Sequence, residues 1–119
     1  MDFVNCKTIT ELEKIPALRK AKEKVIAYWR DDVPSMRLFS RMGEAVAKNF
    51  KTFSDEEKQH IFAVVERGMR SKNTELVFFV ACGTLGGMMW VAGNDGHLVR
   101  QIFRLCGKRS KSYCLLLRS

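Results

Sequence analysis

Residues 76–92 read LVFFVACGTLGGMMWVA, without one charged side chain. The uncharged run extends to Asn94, and its 19 residues approach the minimum of about 17 needed to cross a bilayer. Gly83 and Gly87 also make a GxxxG pair, a spacing that lets membrane helices meet closely. Two features oppose a membrane span. Gly83, Gly86, Gly87 and Gly93 dilute the hydrophobicity, and the run lies between amphipathic segments that need an apolar partner to cover. The expectation is a central core helix of a soluble protein, with its glycines letting neighbouring helices approach.

Outward from this run, the chain is punctuated by helix starts. Asn73 or Thr74 is placed to cap the apolar helix. Before it, Ser54-Asp55-Glu56-Glu57 has the pattern of a capping box, in which Ser54 and Glu57 each satisfy a free N–H of the helix start. That helix continues through Ile61, Phe62, Val64, Val65 and Met69. Pro34 opens an earlier helix over about residues 34–50, with Asp32 as its expected cap and Met36, Phe39, Met42, Val46 and Phe50 as its stripe. Pro16 opens another over about residues 16–31. Its Leu18, Ala21, Val25, Ile26 and Trp29 recur at three- and four-residue steps, and lysine and arginine fill the other face. A short turn from Thr10 precedes it. After the apolar run, Asn94-Asp95-Gly96 is a turn, Asp95 caps a helix through Cys106, and Gly107 is its expected stop. The tail SKSYCLLLRS fits either a short helix or an extended piece. The expected fold is all-α: residues 1–119 as a single domain, an antiparallel bundle or solenoid-like array of about five helices.

Charge is spread unevenly. Of the net +8, residues 61–119 contribute nine basic and three acidic side chains, and no acid follows Asp95. Arg100, Arg104, Lys108 and Arg109 head this basic C-terminal third, which suits a polyanion or an acidic protein face, or merely a solvated helix end. Four cysteines form no CxxC pair, and His60 and His97 lie far apart, so no zinc spacing exists. Cys82 is expected as a small core residue. The start MDFVNCKTIT lacks the pattern of a signal peptide, which leads to an expected cytoplasmic location with reduced thiols.

Few residues suggest chemistry. Residues 83–87, GTLGG, match neither GxGxxG nor GxxxxGK[ST], and no strand precedes them. Asp95 and His97 are explained by a turn cap and a helix start. No catalytic, cofactor-binding or metal-binding residue is expected. Tyr28, Trp29, Asp31 and Asp32 bring two aromatics and two acids to one helix end, a combination common in interface anchors. Trp29 belongs to the apolar stripe and is expected in the core, which leaves Tyr28 and the aspartates for a partner. Glu66, between Val65 and Gly68, is either a buried acid paired with an arginine or an exposed one.

Residues 14–50, KIPALRKAKEKVIAYWRDDVPSMRLFSRMGEAVAKNF, and 56–87, EEKQHIFAVVERGMRSKNTELVFFVACGTLGG, together resemble a family of small all-helical bacterial immunity proteins. These are encoded beside polymorphic or contact-dependent growth-inhibition toxins. The family has a proline near the start of its first long helix, an acid before a polar turn, and an apolar helix closing in a G-x-L-E-like stretch. Pro16, Glu66 and residues 83–86 occupy these positions. Gly86 departs from the acid of that pattern, so no role for the acid carries over. The resemblance spans about residues 12–90 and its motifs are diffuse. It implies a cytoplasmic protein that binds a cognate toxin domain and blocks its active site. A nucleic-acid-cleaving toxin is itself basic, so the expected contact residues are the dense acidic clusters, Asp31, Asp32, Asp55 and Glu56, with Tyr28. The alternative is a basic nucleic-acid-binding module working through the C-terminal third.

Overall fold

Most helices begin where a side chain or a proline serves their free N–H groups. A computed structural model describes residues 3–118. Among them the chain forms seven helices and no strand: α1 (Lys7–Leu12), α2 (Pro16–Trp29), α3 (Ser35–Lys48), α4 (Asp55–Met69), α5 (Thr74–Ala92), α6 (Gly96–Leu105) and α7 (Lys108–Arg118). Ser54 Oγ accepts from Glu57 N–H at 3.1 Å, and Glu57 Oε1 accepts from Ser54 N–H at 2.9 Å, completing the capping box of α4. Asn73 Oδ1 caps α5 through Glu75 and Leu76 N–H. Asp95 Oδ1 does the same for α6 through His97 and Leu98 N–H. Pro16 is the first residue of α2.

Several expectations change. The count rises from five because residues from Lys7 already form a helix and the tail continues as α7. Asp32 does not cap α3. Pro34 holds the N-cap position, with no side-chain cap, and Asp32 lies two residues too early. Its N–H instead donates to the Trp29 carbonyl at 3.3 Å, closing a turn. Cys82 is exposed, not in the core. Helix α5 is apolar from Leu76 onward and, from Val80, buried over most of its circumference, with a narrow stripe including Cys82 and Trp90 left exposed. It is long and apolar enough to cross a bilayer, with mean hydropathy 1.6, yet half of that stretch is buried in the fold.

Helix α5 has a wider π turn over Phe79–Leu85, between α segments Thr74–Phe78 and Gly86–Ala92. Its buried side lies on α3, in the most extensive helix–helix contact of the molecule. Glycine makes the approach possible. A Cβ on Gly43 of α3 would stand 2.0 Å from the Thr84 carbonyl oxygen, one on Gly87 2.4 Å from that of Ser40, and one on Gly83 2.7 Å from Phe39 Cβ. Phe39, Met42 and Val46 of α3 and Val80, Leu85 and Met88 of α5 are fully buried around this crossing. Helices α4, α6 and α7 pack on the rest of α5, α2 packs chiefly on α3, and α1 packs on α4.

Helix α7 has the opposite problem. It opens with Lys108, Arg109 and Lys111, cations at the end of a helix that favours anions. The remedy comes from α4. Glu66 accepts from the backbone N–H of Arg109 at 3.1 Å, and from the N–H and Oγ of Ser110 at 3.0 and 2.8 Å. Arg70 adds an ion pair at 3.4 Å. Glu66 is thus both acid–arginine pair and distant helix cap. Gly107 has no positive φ and is not a left-handed stop. Its role is space: a Cβ there would lie 2.4 Å from Glu66 Cγ and Cδ. Burial pushes the Glu66 pKa up, but the hydrogen bonds from Ser110 and Arg109 and the charge of Arg70 outweigh it, so the net shift is below the ordinary 4.5.

Gly43→Ala should destabilise by about 1–3 kcal/mol through overpacking. Gly86→Ala, where a Cβ meets nothing closer than 3.7 Å, should gain up to about 1 kcal/mol from helix propensity. Urea midpoints of the two variants moving in the same direction would contradict the packing argument. Because the folded pKa of Glu66 is depressed, its contribution is complete above the unfolded value of 4.5 and is lost as pH falls through the lower folded value. Glu66→Gln should cost about 1–3 kcal/mol at neutral pH, flatten the acid limb of the stability–pH profile, and speed hydrogen exchange at Arg109 and Ser110.

Candidate binding groove

Helix α2 touches little but α3, and the residues between them are small. Ala17, Ala21 and Val25 of α2 and Ala45 of α3 form a floor where longer side chains would have filled the space. The result is a groove of about 690 Å³. Its rims follow from helical spacing. Lys20 and Lys24 stand one turn apart on α2; Arg37, Arg41 and Lys48 follow one face of α3. All five are exposed. The lining holds one carboxylate, Glu44, which Arg41 Nη1 meets at 2.9 Å and Ser40 Oγ at 3.5 Å. Among the described residues, Lys20, Lys24, Arg37 and Lys48 form no ion pair. The groove therefore has an apolar floor and uncompensated positive rims.

Tyr28 and Trp29 close one end of the groove, their rings edge-to-face with centroids 5.3 Å apart. Tyr28 is 79% exposed and Trp29 37%, so the expectation of a core tryptophan is corrected. Trp29 is the last residue of α2, where the helix ends before its outer turn is covered. Arg30 follows at φ 57°, ψ −117°, the first central position of a type II′ turn, which normally favours glycine. This is the one positive-φ non-glycine among the described residues.

Of the residues expected to meet a partner, Tyr28 lines the groove. Asp31 and Asp32 are exposed in the turn beyond it and do not line it. Asp55 and Glu56 are exposed in the first turn of α4. No hydrogen bond or ion pair joins the two acidic clusters among the described residues. Arg100 and Arg104 are exposed on α6, and Lys108 and Arg109 at the start of α7, away from the groove lining. The polar face of α2, with its lysines, is legible in the sequence, but its opposition to Arg37, Arg41 and Lys48 across a shared groove depends on how the two helices pack. The available signal was the four-residue spacing of Lys20–Lys24 and Arg37–Arg41 beside alanines. No group of three or more His, Cys, Asp or Glu that could hold a metal ion occurs among the described residues. The chain matches no family model, no curated protein sequence and no solved structure.

A left-handed arginine stores backbone strain of about 1–3 kcal/mol. Arg30→Gly should therefore stabilise the fold by about 1 kcal/mol once glycine's larger unfolded-chain entropy is subtracted. A lowered thermal midpoint would show that the Arg30 side chain contributes more than its backbone costs.

Proposed function

We propose that this chain is a non-catalytic inhibitor of the immunity-protein kind, acting in the cytoplasm by holding a cognate toxin domain, and that the α2–α3 groove is its contact face. The observation that carries this reading is the groove itself. An apolar floor between rows of unpaired cations fits an acidic, partly apolar protein segment better than it fits a small substrate. Lysines and arginines on the rims speed association with an acidic face, while Tyr28 and Trp29 supply rigid anchors at one end. The contact thus moves from the acids at the helix ends to the cations between helices, and the toxin's complementary face is acidic even if its nucleic-acid site is basic. Aromatics beside cations also suit single-stranded nucleic acid, whose bases stack on such rings while its phosphates meet the rims. That observation keeps nucleic-acid binding as the second reading.

Co-expression with the polypeptide encoded directly upstream, followed by pull-down and growth assays, tests the proposal. Lys24→Glu with Arg37→Glu should weaken the complex at least about ten-fold and make association less salt-sensitive. Asp31→Lys with Asp32→Lys should leave protection intact. The reverse pattern returns the contact to the acidic turn. If the groove variant instead loses a labelled single-stranded oligonucleotide, whose binding by the parent falls steeply with salt, and no protein is retained, the second reading replaces the first.

A further inference from the structure

The side of α5 that turns away from α3 is apolar as well. Every fourth residue along it, Phe78, Cys82, Gly86 and Trp90, reaches the surface. The four-residue spacing places them along one side of the helix, and the π turn over Phe79–Leu85 lies within this stretch. Trp90 is 83% exposed and Phe78 55%. Helix α7 widens this stripe. It packs against the π turn and the closing segment of α5, and Tyr113 Oη meets Cys82 Sγ at 3.4 Å. Leu116, one turn beyond Tyr113 on the same side of α7, is 70% exposed. Arg109, one turn before Tyr113, brings a cation to that side, and Lys108 lies next to it, both exposed.

We propose that this α5–α7 face seats on an anionic lipid surface, with α5 lying along the membrane plane and not crossing it. Three arguments select this occupant. From Gly96 onward the chain has no acid, so the α7 border of the stripe, with Lys108, Arg109 and Lys111 exposed, is positive and complements anionic headgroups, while the exposed acids Glu75 and Asp95 stand only at the two ends of α5. An amphipathic tryptophan and leucines beside arginine and lysine are the composition that partitions into the headgroup boundary. A second copy seated on this face would gather the Lys108 and Arg109 of both copies into one interface. Insertion across the bilayer is opposed by the other side of α5, whose Gly83 and Gly87 are packed on the backbone and Phe39 of α3. The face is separate from the groove, whose lining contains none of these residues.

The test uses the full chain with Trp29→Phe, which leaves Trp90 as the single indole. It should co-sediment with vesicles of equal parts phosphatidylcholine and phosphatidylglycerol and not with phosphatidylcholine alone. Trp90 emission should shift to the blue and become protected from acrylamide. In the otherwise unaltered chain, Trp90→Ser with Leu116→Ser should keep the thermal midpoint, since both side chains are exposed, yet bind these vesicles at least about ten-fold more weakly. Lys108→Gln with Arg109→Gln should weaken binding at least about ten-fold too. The proposal is overturned if the parent ignores anionic vesicles, or if the Trp90/Leu116 variant binds them undiminished. It is equally overturned if vesicle binding is lost only with Lys24→Glu and Arg37→Glu in the groove. A dimer in sedimentation, abolished by the Trp90/Leu116 changes and accompanied by no vesicle binding, would assign the face to a second copy.

Discussion

Two main chains touch where α3 crosses α5, and the remaining helices are arranged around that contact. Gly43 lies against the peptide of Thr84, and Gly87 against the carbonyl of Ser40, with no side chain between. So close an approach lets the long side chains on either flank interdigitate, and Phe39, Met42, Leu85 and Met88 lose all contact with water. It also imposes a cost. Thr84 is buried with its hydroxyl unpartnered among the described residues, a loss of about 1–3 kcal/mol for such a group. The π turn coincides with the crossing, since Gly83 and Thr84 belong to both. With one side of α5 committed to α3, helices α4, α6 and α7 flank the rest and leave only the stripe through Phe78, Cys82 and Trp90 open to solvent.

Electrostatics divides the molecule into settled and unsettled regions. The cations that open α7 oppose its dipole, and a carboxylate from α4 answers them together with the free N–H groups. Lys22, buried on α2, is likewise answered by Glu13 and Asn5. In the α2–α3 groove only Arg41 finds an acid, and the other four rim cations face solvent. Charge left unpaired in a concave place is available for a ligand, whereas charge paired within the fold is not.

Local chemistry was legible in the sequence. The Ser54 box, the Asn73 and Asp95 caps and the proline start of α2 depend on residues within three or four positions, and all are present. So is the role of the GxxxG glycines, because helical spacing alone puts Gly83 and Gly87 on one side. What failed depends on distance. The start of α7 has no cap of its own, since its acceptor lies 43 residues earlier at Glu66. Asp32 stands close to Pro34, but the N-cap position of α3 is Pro34 itself. Trp29 fits the apolar stripe but ends its helix, so nothing covers its outer edge. The groove belongs to neither α2 nor α3 alone, and its volume follows from which alanines face one another. No periodicity in one segment carries that information.

The outlying position of α2 has a thermodynamic corollary. A helix that leans mainly on one neighbour opens at lower free energy than the body it leans on. A ligand spanning both rims of the groove would join Lys20 and Lys24 to Arg37 and Arg41, and would then act as a missing wall of the fold. Linkage requires that occupancy and closure reinforce each other. Part of the intrinsic binding energy is spent on holding α2 in place, so any substitution that loosens α2 weakens affinity without touching the ligand. The groove is in that sense an unfinished interface of the protein with itself, completed from outside.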